Sequence, residues 1–239
     1  AGNYQIRVTL AGDPATVVYD AGTVALASGA DLLLVAVANT TTGPSPITLL
    51  VNDGTTQSEL PDVATTADVR AGHLSPDAPA VDVIVNDDLA NPLFNGATYP
   101  ALTPYASVPP ATYNIKVVDD ATQGLTVINA DLALARGVSY SVLAVDFLAE
   151  IEPLVLTDDR RSIATEARVR IVHGSPSAGN VDIYVAAPDT DINTINPTFA
   201  NVPFKANTGY VGLAGGTYEV SVTPAGAKTP VAIFAELPI

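Results

Sequence analysis

The sequence predicts an all-β fold, built from tandem antiparallel Ig-like β-sandwich modules with incomplete modules at both ends. Three observations support this prediction. Sequence motifs recur at a spacing of one Ig-sized module, short segments alternate apolar and polar residues, and 17 Gly and 19 Pro punctuate the 239 residues. The apolar residues are mainly Val, Ala, Leu and Ile, and only 6% of all residues are aromatic. Such side chains suit thin cores between short strands.

Internal repeats establish the module length. The opening motif Val-Arg-x-x-His-x-Ser-Pro occurs at 69–76 and again at 169–176. A second element, a Tyr that begins an alternating strand pattern, occurs three times, at Tyr4, Tyr113 and Tyr218. These spacings correspond to a repeat of ~100 residues, the size of one Ig-like domain.

The middle copy shows the clearest strands. Residues 113–117, Tyr-Asn-Ile-Lys-Val, alternate apolar and polar side chains, as half-buried strands do. Clusters of Pro, Asp and Asn separate the apolar segments and favour turns. No segment carries a helical pattern. We predict strands at 69–73, 81–85, 113–118, 125–134, 139–145 and 152–156.

The copies differ in completeness. We predict a complete module at 66–160, a module lacking its last strands at 166–239, and the C-terminal half of a module at 1–54. The segment 1–54 keeps the final strand pair, which 166–239 lacks. We therefore expect the chain to begin and end inside a module.

The charge balance excludes some functions. With 25 acidic and 10 basic residues, the net charge is −15, so nucleic-acid binding, which needs a cationic surface, is not expected. No apolar run reaches the roughly 20 residues of a membrane helix, so no membrane insertion is expected. The chain has no Cys, which excludes thiolate catalysis. We expect an extracellular or cell-surface protein whose export signal has been removed.

The opening motif carries a family resemblance. Residues 69–83, together with Pro-Ala-Thr-Tyr-Asn-Ile at 110–115 and Leu-Val-Leu-Thr-Asp-Asp at 154–159, resemble the family catalogued as domain of unknown function 4397. The resemblance extends over one full and two partial copies. It implies an exported, often tandem, Ig-like β-sandwich, and no established chemistry. The second copy departs from the pattern at 177–180, where Ser-Ala-Gly-Asn replaces Asp-Ala-Pro-Ala.

Three residue types recur in both copies and could suggest chemistry: His73, Ser75, Asp82, His173, Ser175 and Asp182. Each copy offers one His, whereas a zinc site usually needs three or four N or S ligands. A Ser followed by Pro lacks the strand-to-helix elbow that exposes a nucleophile. We therefore interpret the motif as structural, with the His ring bonded to Ser75 or Asp82, and expect no enzyme activity.

Acidic turns are the only candidate metal sites. Carboxylates between strands could bind calcium, although none forms the spaced Asp-x-Asp-x-Asp loop, and solvated turn carboxylates are the simpler interpretation. No other cofactor is expected. The weak calcium candidates are Asp87, Asp88, Asp119, Asp120, Asp158 and Asp159.

The incomplete modules suggest a structural function. We expect a subunit of a filament or cell-surface assembly whose modules are completed between chains by β-strand complementation, with copies of itself as head-to-tail partners. The segments expected in intermolecular sheets run from Asp31 to Ala38, from Ile47 to Val51 and from Val231 to Leu237.

Other interpretations stay open. Residues 1–26 duplicate the strand pair at 214–239. If one module were split between two chains, one of these two hairpins would therefore have no place in it. The chain could instead be a fragment of a tandem-repeat surface adhesin, or residues 27–54 could complete the last module within the chain. A glycan- or protein-binding module is the rival function, with Tyr105 and Tyr210 as a stacking platform.

Overall fold

The structure, a computed structural model, describes residues 1–238 as twenty β-strands in three consecutive groups. Ile239, the last residue of the predicted segment 166–239, lies outside the described residues. The helices among residues 1–238 are two 3₁₀ turns, Leu148–Glu150 and Ile192–Thr194. None of the described helices is long and apolar enough to span a membrane.

The first group contains a hairpin and a three-stranded sheet. Strands β1 and β2 pair with each other, and β3, β4 and β5 form an antiparallel sheet in that order. Buried Tyr19, Ala21 and Leu49 pack the hairpin on this sheet, and the Tyr19 hydroxyl donates to the Leu60 carbonyl at 2.7 Å. The strands are β1 Gly2–Leu10, β2 Asp13–Leu26, β3 Leu33–Ala38, β4 Ile47–Asn52 and β5 Gln57–Leu60.

The middle group consists of two sheets. One has the order β10-β6-β13-β14, with β9 also pairing β6, and the other has the order β12-β11-β7-β8. The strands are β6 Ala67–His73, β7 Val81–Val85, β8 Phe94–Ala97, β9 Ala101–Leu102, β10 Ala106–Val108, β11 Ala111–Asp119, β12 Thr126–Leu134, β13 Ser139–Val145 and β14 Glu152–Asp158.

The two middle sheets pack face to face. Their common core includes Ala71 and Ala144 from the first sheet and Val83, Val117 and Ile128 from the second, all at most 8% exposed. Alternating residues of each strand supply this core, as expected for strands buried on one face. The turn before β13 needs Gly137, whose φ is +74°.

The last group repeats part of this arrangement. Its larger sheet has the order β17-β16-β19-β20, which corresponds to β8-β7-β11-β12, and its second sheet contains only β15 and β18. The strands are β15 Glu166–Val169, β16 Val181–Ala186, β17 Phe199–Val202, β18 Val211–Ala214, β19 Thr217–Pro224 and β20 Ala232–Pro238.

The prediction of an all-β fold is confirmed. Each of the six strands predicted in the middle copy overlaps an observed strand, and most bounds agree within two residues. One feature differs from the antiparallel expectation: β13 pairs β6 in parallel. The chain leaves β6, passes through the facing sheet and returns, so the two strands run in the same direction. The short strands β5, β8, β9 and β10 were not predicted from the sequence.

Candidate functional site

Strands β15 and β3 each lie at a sheet edge, whereas the corresponding strands of the middle group pair with another strand on that side. There, β6 pairs β10 on one side and β13 on the other. The corresponding strand of the last group, β15, pairs β18 on one side, and its one other bridge among residues 1–238 joins Glu166 to Ile163. Similarly, β3 pairs β4 as β13 pairs β14, and no described strand lies on its other side. The free edges of β15 and β3 therefore correspond to the two edges that meet in the β6–β13 pair.

The correspondence between β3 and β13 is supported by backbone geometry. Gly29 and Gly137 lie at equivalent places before these strands, and both have a φ of +74°, a conformation that favours glycine. The sequence Val-Ala-Val at 35–37 then aligns with Leu-Ala-Val at 143–145. Residue n of β3 therefore corresponds to residue n + 108 of β13.

Strand β3 has the composition of an internal strand but lies at an edge. All six of its residues, Leu-Leu-Val-Ala-Val-Ala, are apolar, a pattern typical of strands covered on both faces. Nevertheless Leu33 is 63% exposed and Val35 is 41% exposed. A long apolar edge of this kind is a template for pairing with another strand.

The last group also exposes apolar residues. Val231, Ile233 and Phe234, in and before β20, are 54–64% exposed, whereas Ile128 and Leu134 of the corresponding β12 are at most 7% exposed. In the middle group β13 and β14 cover this part of the core. Residues 166–238 contain no counterpart of those two strands.

The middle and last groups meet through an apolar cluster. Leu143, Val145 and Leu156, on the outer face of β13 and β14, are buried against Val172 and Phe204 of the last group. Two ion pairs also cross this junction: the Lys205 ammonium of the last group lies 2.9 Å from Asp146 and 2.6 Å from Glu152 of the middle group.

A buried carboxylate joins the same two groups. The Asp158 side chain is fully buried and accepts hydrogen bonds from the Ser141 hydroxyl at 2.5 Å and the Tyr105 hydroxyl at 2.7 Å. It forms an ion pair with Arg170 of the last group, and Arg70 Nε lies 3.9 Å away. Asp158, at the end of β14, thus supplies a counter-ion to Arg170, the residue that follows β15.

The tyrosines of the predicted stacking platform belong to this junction. Burial, followed by the hydrogen bond to Asp158, raises the pKa of Tyr105 to about 12, and burial also raises the pKa of Tyr210. Guanidinium groups lie over both rings, where a stacked sugar would have to bind. Their distances to the ring centres are 4.7 Å for Arg70 and 4.2 Å for Arg160 over Tyr105, and 5.6 Å for Arg168 and 4.7 Å for Arg170 over Tyr210.

The repeated histidines are buried and bind backbone carbonyls. His73 Nε2 lies 2.8 Å from the Pro79 carbonyl oxygen, and His173 Nε2 lies 2.7 Å from that of Gly179. Because a carbonyl can only accept, each Nε2 carries the proton. The expectation that Ser75 or Asp82 side chains bind the ring was therefore wrong. The loop after β6 folds back over the imidazole, so a backbone carbonyl of that loop, and not a side chain, is the hydrogen-bond partner of Nε2.

The repeated aspartates hold a different loop. Asp82 accepts the Gly96 backbone N–H at 2.8 Å, and Asp182 accepts that of Asn201 at 2.7 Å. Asp182 also accepts the Gly226 N–H at 2.8 Å. In both groups the Asp side chain thus ties the strand that follows the His motif to the next strand of its sheet.

The serines of the motif differ between the two groups. The Ser75 hydroxyl is buried with no hydrogen-bond partner among the described residues, whereas Ser175 is exposed. Among residues 1–238, His73 Nδ1 receives only the Ser75 backbone N–H, at 3.4 Å. The structure therefore does not join His, Ser and Asp side chains into a relay.

The acidic turns bind internal partners. Asp87 pairs with Lys116, Asp88 accepts from Asn91, and Asp119 accepts from Thr122. Arg161 holds the pKa of Asp159 at about 2, and the nearby Asp82 carboxylate raises the pKa of Asp120. Within residues 1–238, no three His, Cys, Asp or Glu side chains are grouped to hold a metal ion.

The predicted assembly segments coincide with observed strands, with small shifts. The segment predicted from Asp31 forms β3 only from Leu33, and the segment predicted from Val231 forms β20 from Ala232. In the single chain β3 and β20 lie at sheet edges, whereas β4 lies between β3 and β5. Completion of the last group by residues 27–54 of the same chain is not observed.

The arginines of the junction were not predicted from the sequence. Arg160, Arg168 and Arg170 each contact a buried or half-buried aspartate, and Arg160 pairs with buried Asp68. One signal was present: four of the seven arginines of this acidic chain fall within residues 160–170. Such a cluster at a predicted boundary indicates a counter-ion role there.

A family model matches part of the chain. Residues 67–184 match the model of a family described as a domain of unknown function, DUF4397. The match begins at β6, spans the rest of the middle group and ends within β16 of the last group. No curated protein matches the chain.

Proposed function

Residues 67–184 belong to the DUF4397 family, and from this premise we propose that the chain is a subunit of an extracellular filament or surface assembly. In this proposal Ig-like modules are completed between copies by β-strand complementation, and the partners are copies of the chain in head-to-tail order. The family description assigns no chemistry, so the proposal depends on the sheets.

One observation carries the proposal: the two free edges are complementary. The last group leaves open the edge of residues 167–173, which begins within β15 and corresponds to the β13-binding edge of β6. The first group leaves open the edge of β3 that corresponds to the β6-binding edge of β13. Because the two edges lie in different parts of the chain, pairing between copies is head-to-tail, and it gives an open polymer when the rotation between copies does not close a ring.

The energetics favour such pairing. A copy of β3 and β4 beside β15 would shield the exposed residues near β20 and remove Leu33 and Val35 from water. We expect each contact to bury about 2,000 Å² or more, as obligate interfaces do. Burial of apolar area contributes roughly 25 cal/mol per Å², part of which offsets the entropy lost on association.

The surface composition fits an exported subunit. A net charge of −15 keeps isolated chains soluble and opposes nonspecific association. Specific edge pairing then has to overcome this repulsion. We expect assembly to strengthen as salt screens the charges.

Two matched variants test the proposal. Val35 in β3 and Val155 in β14 are both 41% exposed on strands at sheet edges. A lysine on an edge strand opposes pairing with another chain. We expect the wild-type chain and Val155→Lys to form filaments in electron micrographs, and Val35→Lys to stay monomeric in analytical ultracentrifugation.

Circular dichroism of both variants checks that each remains folded. A wild-type chain that is monomeric at every concentration and salt level contradicts the proposal. Filaments of Val35→Lys as long as those of the wild type also contradict it, because β3 would then not be used. A folded monomer that binds a glycan or protein through a discrete patch would favour the binding-module alternative.

A further inference from the structure

We infer that β3 of one copy adds in parallel to residues 170–175 of the next copy, the segment directly after β15, in a single register that places Leu34 beside Ile171. This inference rests on the proposed function and specifies its contact. The orientation follows from the middle group, where the corresponding strands β13 and β6 run parallel.

The register follows from two alignments. In the middle group Val142 lies beside Ala71, and Ser139 lies beside Asp68. The first alignment relates β3 to β13 by 108 residues, through the two glycines with a φ of +74°. The second relates β15 to β6 by 100 residues, through the His-Ser-Pro motif. Together they place Leu34 beside Ile171 and Asp31 beside Arg168.

Charge complementarity supports a second copy as the occupant. The middle pair is a neutral Ser139 beside Asp68. At the proposed contact both positions change, to Asp31 and Arg168, which have opposite charges. In the single chain Arg168 lies 3.4 Å from Asp159, and its side chain is 24% exposed. The guanidinium therefore remains accessible to a second carboxylate.

The side chains match the two environments of the added strand. In the middle group Val142 and Ala144 of β13 face the core, while Leu143 and Val145 face the junction with the next group. The aligned residues Leu34 and Ala36 would face the core of the last group. Because β3 is apolar on both faces, it suits a place that is covered on both sides.

The added strands require one rearrangement. The face of β4 that would meet the last group carries Leu49, which packs on Tyr19 and Ala21 of the β1–β2 hairpin in the single chain. Strand β20 and its partner β19 already fill the corresponding place in the last group. The β1–β2 hairpin must therefore leave β4 when assembly occurs.

Cysteine pairs test the register, since the chain has no Cys of its own. Neighbouring residues of paired strands lie within disulfide range and point to the same face. In full-length chains we expect Leu34→Cys with Ile171→Cys to give a ladder of disulfide-linked oligomers on non-reducing gels. Leu34→Cys with Val172→Cys, slipped by one residue, points to opposite faces and should give no ladder.

Charge reversal provides a second readout. Asp31→Arg and Arg168→Asp should each slow filament growth at low salt by about tenfold or more, and the double variant should recover most of the rate. Filaments in which the slipped pair cross-links, or neither pair does, overturn the register but leave the proposed function intact. Absence of filaments in wild type overturns both.

Discussion

The middle and last strand groups share a strand order but differ in how much of their core is covered. In both, a buried His binds a carbonyl six residues ahead, and an Asp ties its strand to the next strand of the same sheet. The middle group closes its core with β13 and β14, whereas Phe234 of the last group is 54% exposed. Local motifs therefore form the same loops in both groups, and the two additional strands decide whether the core is closed.

The junction between the groups shows how the last group compensates. Its Arg170 forms an ion pair with Asp158 of the middle group, and the same carboxylate accepts hydrogen bonds from Ser141 and Tyr105. Buried Val172 and Phe204 similarly rest on β13 and β14. The last group thus depends on its neighbour for both charge neutralisation and apolar contact.

The largest expected effect separates the two groups physically. We predict that isolated residues 66–160 unfold cooperatively in urea, because both sheets and the closed core are present. Isolated residues 166–238 should show no cooperative transition, because they have no counterparts of β13 and β14 to cover one side of the core. Far-UV circular dichroism against urea concentration measures both.

A gradual, non-cooperative loss of signal from the 66–160 segment would show that the middle group is not an independent unit. Conversely, a cooperative transition in 166–238 would show that β13 and β14 counterparts are unnecessary there. In either case the difference drawn between the groups would not hold.

The next effect concerns the shared carboxylate. Asp158→Asn leaves Arg70 and Arg170 near a buried neutral group, and breaking a buried ion pair costs about 3–5 kcal/mol. We expect this loss in the free energy of unfolding of the full chain. Asp159→Asn is the neighbouring control: its partners Arg161 and Arg168 are 59% and 24% exposed, so we expect a smaller loss, of about 1 kcal/mol.

Equal losses for these two variants would indicate that Asp158 is no more important than a surface charge. The junction would then be held by Leu143, Val172 and the other apolar residues alone. Denaturation by urea at neutral pH, monitored by tyrosine fluorescence, distinguishes the two results.

Sequence patterns predicted the strands well but not their neighbours. Alternation at 113–117 and the flanking turn residues fix a strand locally, so β11 was predicted almost to its ends. The parallel β6–β13 pair joins residues about 70 positions apart, and no local pattern encodes it. Short strands such as β9, with two residues, are held by tertiary hydrogen bonds rather than by propensity.

The candidate site was predicted in part for the same reason. The segments near β3, β4 and β20 were found from their apolar composition. The partner of His73 was missed, because a loop carbonyl leaves no side-chain signature in the sequence. The ion pairs of Asp158 were missed, because they depend on how two groups are oriented, although the arginines at 160–170 gave a compositional signal.

The smallest expected effect tests the motif that the two groups share. His73→Ala and His173→Ala each remove a buried imidazole and the hydrogen bond that it donates to the Pro79 or Gly179 carbonyl, and such a loss costs about 1–3 kcal/mol. We expect the two losses in unfolding free energy to be similar, since the hydrogen bonds measure 2.8 Å and 2.7 Å. Ser175→Ala, at an exposed position, should change stability by less than about 0.5 kcal/mol. Thermal denaturation of the full chain measures all three. If both His variants melt at the wild-type temperature but lose binding of a ligand, the motif is a binding site and the structural interpretation is wrong.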